Sequence, residues 1–183
     1  TLQCGTSHVF IAGDANSDKP ILHEAADEGR IAGENAGRFP DVRAGLRRVP
    51  MGIVFTEPNL AIVGEGYRAL EARGCDFAIG SVDFADQGRS RVILQNHGLL
   101  RVYGACGTGA FLGAEMAGPR AEHLAHLLAW SLQQQLTVPT MLEMPFYHPV
   151  IEEGLRTALR ELNRNLKLGP VMIERCMDCG PGS

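Results

Sequence analysis

The sequence predicts an α+β fold, with an antiparallel sheet that carries helices on one side and follows a terminal strand and helix of an α/β piece. Six short apolar or alternating segments lie between residues 49 and 118, separated by turn residues. Two longer segments, 119–135 and 149–166, carry apolar residues at three- and four-residue spacing. Several strands followed by helices are typical of an α+β layer architecture.

Residues 1–48 are too short for an independent α/β domain and are interpreted as one edge of such a domain. A strand over residues 9–15 ends at Gly13-Asp14, and a helix over residues 20–38 follows, rich in Ala and Gly. Ligands bind at the carboxyl ends of strands in α/β sheets, where the Asp14 carboxylate would suit a ligand hydroxyl. The small side chains of this helix would let its backbone come close to a flat ligand.

Val49-Pro50 begins a second unit, predicted over residues 49–168, whose elements are mostly strands. Asn96-His97-Gly98 is interpreted as a hairpin loop, with His97 at its tip and without chemistry. The predicted strands are 52–55, 61–63, 77–82, 91–95, 99–103 and 111–116.

The helix predicted from Pro119 to about Gln135 carries one apolar face of leucines and ends before Val138-Pro139. His123 and His126 lie three residues apart on it. Further metal ligands at suitable spacing are not evident, so these two histidines are interpreted as surface residues.

His148-Pro149 precedes the second amphipathic helix, whose apolar positions run from Ile151 to Leu166. Proline suits the first helical position, so we expect Pro149 to open the helix. The Glu153 carboxylate could then bond one ring nitrogen of His148, fixing the tautomer and raising the basicity of the other nitrogen. On these residues alone, the alternative is a His-Pro turn beside a solvated Glu153.

Composition excludes several classes of function. The chain has 183 residues, 45% of them hydrophobic, with a net charge of -4 and a sequence pI near 5.8. Such a balance argues against nucleic acid and anionic membranes as partners. No membrane span or secretory signal is evident, so we expect a cytoplasmic location. The chain begins at Thr1 and runs almost at once into the first predicted strand, as a fragment of a longer protein would.

Five cysteines, an odd number, argue against a disulfide framework. Cys4, Cys75 and Cys106 are interpreted as buried or loop thiols. Cys176 and Cys179 form a CxxC in the predicted tail, residues 169–183, where redox or metal use is the less favoured alternative.

Several stretches occur in a characteristic order: 9–15 with its following helix, 55–64, 112–122 and 148–153. Together they resemble the C-terminal half of dihydrolipoamide dehydrogenase, one of the FAD-containing pyridine nucleotide-disulfide oxidoreductases. The resemblance implies that residues 1–48 complete an FAD-binding domain and that 49–168 form the FAD/NAD-linked reductase dimerisation domain. One departure is Val150, where the family pattern has threonine, so a hydroxyl that could cap the helix is missing.

The resemblance also implies the chemistry. His148 would be the acid/base of the dithiol reaction and Glu153 its orienting partner, and the His-Pro loop would reach the disulfide of the other subunit of a homodimer. Asp14, His23 and Ala25 would line the flavin, with NAD as co-substrate and a lipoyl-bearing protein as substrate. The family's reactive cysteine pair, two cysteines separated by four residues, is absent from this sequence.

Two alternatives stay open. One is a related disulfide reductase such as mercuric reductase, whose C-terminal cysteines are adjacent, unlike Cys176 and Cys179. The other is a dimerisation module that has no activity when isolated. We expect this chain alone to be inactive and to bind FAD negligibly, because Asp14 and the helix after it supply one wall of the site. We also expect it to self-associate through residues 49–165.

Overall fold

The computed structural model of the protein describes residues 1–18 and 20–168. The chain divides into two compact units, Thr1–Pro50 and the part that begins at Met51. The predicted tail, with Cys176 and Cys179, lies outside the described residues. Within the described ranges, no helix is both long enough and apolar enough to cross a membrane.

The first unit is built around one long helix, α1 (Leu22–Arg38). The strand predicted over 9–15 is wrong: the structure has one isolated antiparallel bridge, Gln3 to Phe10, and a 3-10 turn over Gly13–Asn16. A strand needs a neighbour to satisfy its backbone groups. Here the neighbouring segment supplies only a few bonds, among them the one from the Ile11 N–H to the Leu2 carbonyl, at 3.0 Å.

The second unit contains a five-stranded, fully antiparallel sheet in the order β1-β2-β5-β4-β3. The α+β fold and its antiparallel sheet are therefore confirmed. The strands are β1 (Met51–Val54), β2 (Asn59–Gly64), β3 (Phe77–Asp83), β4 (Leu99–Ala105) and β5 (Phe111–Gly118).

Five α-helices lie in the described part of this unit. They are α2 (Tyr67–Ala72), α3 (Gly88–Val92), α4 (Ala121–Gln133), α5 (Val138–Leu142) and α6 (Glu152–Leu166). Helix α4 packs on β1, β2 and β5, whereas α6 packs on β3 and β4. All six predicted apolar positions of α6 are buried, because they recur on one side of the helix. These are Ile151, Leu155, Ala158, Leu159, Leu162 and Leu166.

Helix α6 approaches the sheet very closely at Gly80 of β3. Gly80 pairs directly with Val102, and Val102 pairs with Ala114, so the three residues share one face of the sheet. A Cβ at Gly80 would lie 2.1 Å from the Ala158 carbonyl oxygen. The missing side chain therefore lets the helix backbone rest directly on the strand, which places the N-terminal end of α6 beside the end of β3.

The strand predicted over 91–95 is wrong, and with it the hairpin at Asn96-His97-Gly98. Residues 84–98 instead connect β3 to β4 through a 3-10 turn (Phe84–Asp86) and helix α3. The apolar residues that suggested a strand are not core residues, since Val92 and Leu94 are exposed. Helix α3 forms because the side-chain oxygen of Gln87 accepts a hydrogen bond from the Ser90 N–H and caps its first turn.

Candidate acid–base site

His148 and Glu153 are hydrogen-bonded at the N-terminal end of α6. His148 Nδ1 lies 2.9 Å from Glu153 Oε1 and 3.0 Å from Oε2. An ionised carboxylate can only accept, so the hydrogen of a neutral His148 ring is on Nδ1 and the lone pair is on Nε2. The His148 side chain is 81% exposed. The pair therefore presents a basic ring nitrogen to the surroundings.

Helix α6 begins three residues later than the sequence predicts. Residues 148–151 form a turn, the His148–Pro149 peptide is cis, and the first helical residue is Glu152. The prediction that Pro149 opens the helix is wrong. Two side chains bond the Val150 backbone in this turn. Its N–H donates to Glu153 Oε2 at 3.2 Å, and its carbonyl accepts from Gln87 Nε2 at 2.8 Å. Such side-chain bonds compete with helical backbone bonding.

The Glu153 carboxylate is held in its charged form. The hydrogen bond from His148 lowers the pKa of Glu153 below its usual value, and the Val150 N–H and the nearby Arg156 act in the same direction. The bond from Glu153 to the Val150 N–H is half of a capping box, in which a side chain in the first turn reaches back to the preceding N–H. The other half needs a side-chain oxygen at residue 150, which valine lacks.

An open groove of about 410 Å³ runs beside the His-Glu pair. Gln87 is the residue of this site that sequence reasoning missed. Gln87 directly precedes Gly88 and could have been predicted as the cap of a helix that contains Ser90. The incorrect prediction of a strand over 91–95 left no place for that helix. The groove is lined by Val82, Asp83, Asp86, Gln87, Gly88, His148, Glu153 and Thr157.

Asp14, His23 and Ala25 all lie near the start of α1 in the first unit. Asp14 is exposed in the 3-10 turn, His23 is exposed in the first turn of α1, and Ala25 is half-buried. Gly13 has φ +72°, and a Cβ there would be 3.3 Å from the Ala25 Cβ. The loop that carries Asp14 therefore packs against the first turn of α1. The roles of these three residues stay predictions.

The other histidines behave as surface residues. His126 Nδ1 lies 2.6 Å from the Glu122 carbonyl oxygen, and His123 Nε2 lies 3.5 Å from Glu122 Oε1. No group of three or more His, Cys, Asp or Glu side chains among the described residues could hold a metal ion.

Comparison with known proteins gives the family. Residues 50–159 match the model described as "Pyridine nucleotide-disulphide oxidoreductase, dimerisation domain". The chain therefore belongs to the pyridine nucleotide-disulphide oxidoreductases and contains their dimerisation domain, as the sequence motifs predicted. Proteins of this family generally depend on FAD and NAD.

Similar curated proteins include dihydrolipoyl dehydrogenases. That of Haloferax volcanii is 30% identical over 152 residues, which is 82% of this chain and 32% of the relative. The mitochondrial enzyme of Rattus norvegicus is 27% identical over 151 residues, 82% of this chain and 29% of the relative. The chain thus spans about a third of the length of these relatives.

Solved structures agree in fold. LpdA of Mycobacterium tuberculosis matches with a TM-score of 0.72 and 25% identity, over 84% of this chain and 33% of that one. The flavoprotein disulfide reductase RclA of Escherichia coli, in its Cu(II) complex, matches with a TM-score of 0.73. At 19% identity, over 87% of this chain and 36% of that one, the RclA match bears on the fold alone.

The residues of the first unit fit one wall of an FAD site. The start of α1 has no side-chain cap at Ile21, so its N-terminal end can face an acceptor or a developing negative charge. Asp14 offers an exposed carboxylate for a ligand hydroxyl. Gly13, the residue before it, packs closely against Ala25 of α1.

Proposed function

We propose that this chain supplies the dimer interface and the His148–Glu153 acid/base pair of a flavin-dependent disulfide oxidoreductase that oxidises protein-bound dihydrolipoamide. The hydrogen bond from His148 Nδ1 to a charged carboxylate carries the proposal, because it leaves Nε2 as the acceptor nitrogen of a side chain that is 81% exposed. The names of the similar proteins support the lipoyl substrate, and the family supports FAD and NAD as cofactor and co-substrate.

The chemistry asked of His148 is proton transfer. A dithiol attacks a disulfide sulfur as its thiolate, so a base must remove the thiol proton first. Nε2 of His148 accepts that proton while the bond from Nδ1 to Glu153 stabilises the resulting imidazolium. When the mixed disulfide resolves, the same nitrogen returns a proton to the departing thiolate. Bound FAD would supply electron acceptance from the reduced cysteine pair.

The homodimer is part of the proposal, because residues 50–159 match a dimerisation domain and the family resemblance implies a His-Pro loop that reaches the disulfide of the other subunit. His148 is exposed at the end of a helix of the dimerisation domain, where it could act on a disulfide that another subunit presents. Asp14, His23 and Ala25 would contact the flavin from one side. A cytoplasmic location stays a prediction from the sequence.

The test is His148→Gln in the full-length, flavin-loaded protein, because glutamine keeps some hydrogen bonding but cannot act as a base. We expect reduction by dihydrolipoamide to slow by about 10² to 10⁴-fold, the usual contribution of a positioned base. Hydride exchange between flavin and nicotinamide, which needs no such base, should change little. Stopped-flow measurement of the two half-reactions separates these effects, and Glu153→Gln should be milder because an amide can still bond.

His123→Gln is the matched control, since His123 is another exposed histidine beside a glutamate. It should leave both half-reactions unchanged. If His148→Gln slows both half-reactions together, or slows neither, the acid–base role of His148 is wrong.

A further inference from the structure

Gln87 uses both ends of its side-chain amide. Its Oε1 accepts from the Ser90 N–H at 2.7 Å, which caps α3, and its Nε2 donates to the Val150 carbonyl at 2.8 Å. Gln87 and Val150 are 63 residues apart in the sequence. One side chain therefore joins the segment after β3 to the turn that carries His148.

The Val150 backbone is held at both its N–H and its carbonyl. Gln87 holds the carbonyl, and Glu153 holds the N–H while it also accepts from His148 Nδ1. Gln87 and Glu153 are the side chains that hydrogen-bond to the backbone of residues 148–151 in the described part of the chain. The two bonds hold the peptide units on either side of the Val150 Cα, so four groups form one connected chain from the Gln87 amide through the Val150 backbone and the Glu153 carboxylate to the imidazole.

Gln87 is itself fixed in place. A Cβ at Gly154 would lie 3.5 Å from the Gln87 Cγ and 3.0 Å from Cε1 of Phe84, whose side chain is fully buried. The first turn of α6 therefore packs against both residues. Because the amide is bonded at both ends and its stem is packed, little side-chain entropy remains to be lost when it holds Val150.

We propose that Gln87 is a positioning residue for His148, acting through the Val150 backbone and Glu153. The inference rests on the proposed acid–base function, because positioning matters only if His148 transfers protons. A His148 side chain with 81% exposure has little packing of its own to hold it. The orientation of the imidazole then depends on Glu153. The orientation of the Glu153 carboxylate depends in turn on the Val150 backbone, which Gln87 holds at its carbonyl.

The test is Gln87→Ser in the 183-residue chain, studied by NMR. The serine hydroxyl can still cap α3 but cannot reach Val150. We expect the Val150 amide to exchange about fivefold faster, the change in population that follows loss of one ordinary hydrogen bond. The pKa of Glu153, followed through its carboxyl carbon, should move up toward its usual value as the bonds from His148 and Val150 weaken.

Asn165→Ala is the matched control. Asn165 also lies on α6, and its Nδ2 donates to the Ile79 carbonyl at 2.7 Å, away from His148. Its loss removes a side-chain amide to backbone carbonyl bond of similar length, here between α6 and β3, and should leave both Val150 exchange and the Glu153 pKa unchanged. Unchanged values in Gln87→Ser, or equal changes in both variants, would overturn the proposal.

If Gln87→Ser destabilises the whole domain, Gln87→Glu still tests the bond to Val150 by itself. Glutamate keeps the cap and the length but places an acceptor against the Val150 carbonyl, so Val150 should again exchange faster while sheet amides stay protected. A protected Val150 in this variant contradicts the proposal. These readouts need no turnover, so they stand apart from the test of His148 as a base.

Discussion

The two units of this protein are stabilised in opposite ways. In the first unit, Ile31 and Ala32 are the buried apolar side chains among the described residues, whereas four polar or charged side chains are at most 3% exposed. Those four are Glu24, Asp27, Glu28 and Asn35. In the second unit the buried side chains are almost all apolar, with Ser90 as the polar exception among the described residues.

The buried charges of the first unit are matched by specific partners. Glu28 Oε2 accepts from the Gly13 N–H at 2.7 Å and from Asn16 at 2.6 Å, while Arg47 lies 2.7 Å from Oε1. Asp27 pairs with Arg48. Burying a charge is costly unless it is paired and hydrogen-bonded. The first unit should therefore depend on single charged groups, and the second on how closely its apolar elements pack.

The largest expected effect is that of Gly80→Ala, which tests the packing of the second unit. The new Cβ would meet the backbone of α6 at 2.1 Å, and backbone cannot move aside cheaply. We expect the free energy of unfolding of this unit to fall by at least about 3 kcal/mol. Trp130, the one tryptophan of the sequence, lies in α4 and reports urea unfolding of the unit by fluorescence.

Gly88→Ala is the control for that experiment, because a Cβ at Gly88 would meet nothing within 4 Å. It should change the unfolding free energy by less than about 0.5 kcal/mol. Equal effects of the two alanines would show that close packing at Gly80 does not stabilise the sheet.

Glu28→Gln tests the charged core of the first unit. It removes the negative charge beside Arg47 and leaves a buried amide facing the Gly13 N–H. We expect a loss of about 2–3 kcal/mol, measured as faster amide hydrogen exchange throughout α1, with little change in the sheet. Glu34→Gln is the matched control on the same helix: its pair with Arg30 is exposed, so the loss should stay below about 0.5 kcal/mol.

Mild acid should produce the smallest effect and should separate the units. Hydrogen bonds lower the pKa of both Asp27 and Glu28 below their ordinary values, 3.8 and 4.5. Stability from a lowered pKa is fully present above the ordinary value and is lost as pH falls through the folded value. As pH falls below about 4.5, the protection of α1 amides, measured relative to the intrinsic exchange rate at each pH, should begin to fall while that of β4 and β5 does not. A parallel loss of protection in both units would contradict the comparison.

Local pattern was sufficient for much of the fold. In the second unit, five of the six predicted strands and both amphipathic helices exist, because burial alternates along strands and recurs every three to four residues along helices. The strand predicted over 9–15 in the first unit is absent. The strand predicted at 91–95 is also absent: Val92 and Leu94 look like core residues, but Val92 ends the short helix α3, Leu94 lies just after it, and both are exposed. The helices α2, α3 and α5 are too short to show a period, and only their caps and contacts define them.

The candidate site divides in the same way. His148 and Glu153 are five residues apart, so their pairing follows from the start of one helix and was predictable. The exact first residue of that helix was not, because the bonds to Val150 come from Glu153 and from Gln87. Nothing local to residues 148–153 indicates that Gln87 is their neighbour.

The sequence by itself determined most of the strand segments, the amphipathic helices and a histidine placed beside a glutamate, since each depends on residues close together in the chain. Only the tertiary structure decided that Gln87 bonds the Val150 carbonyl, that α6 lies on Gly80, and that Glu28 is buried against Arg47. These contacts join distant segments. Their partners are set by which surfaces exclude water together and which buried polar groups must find a hydrogen bond, and both are properties of the packed chain.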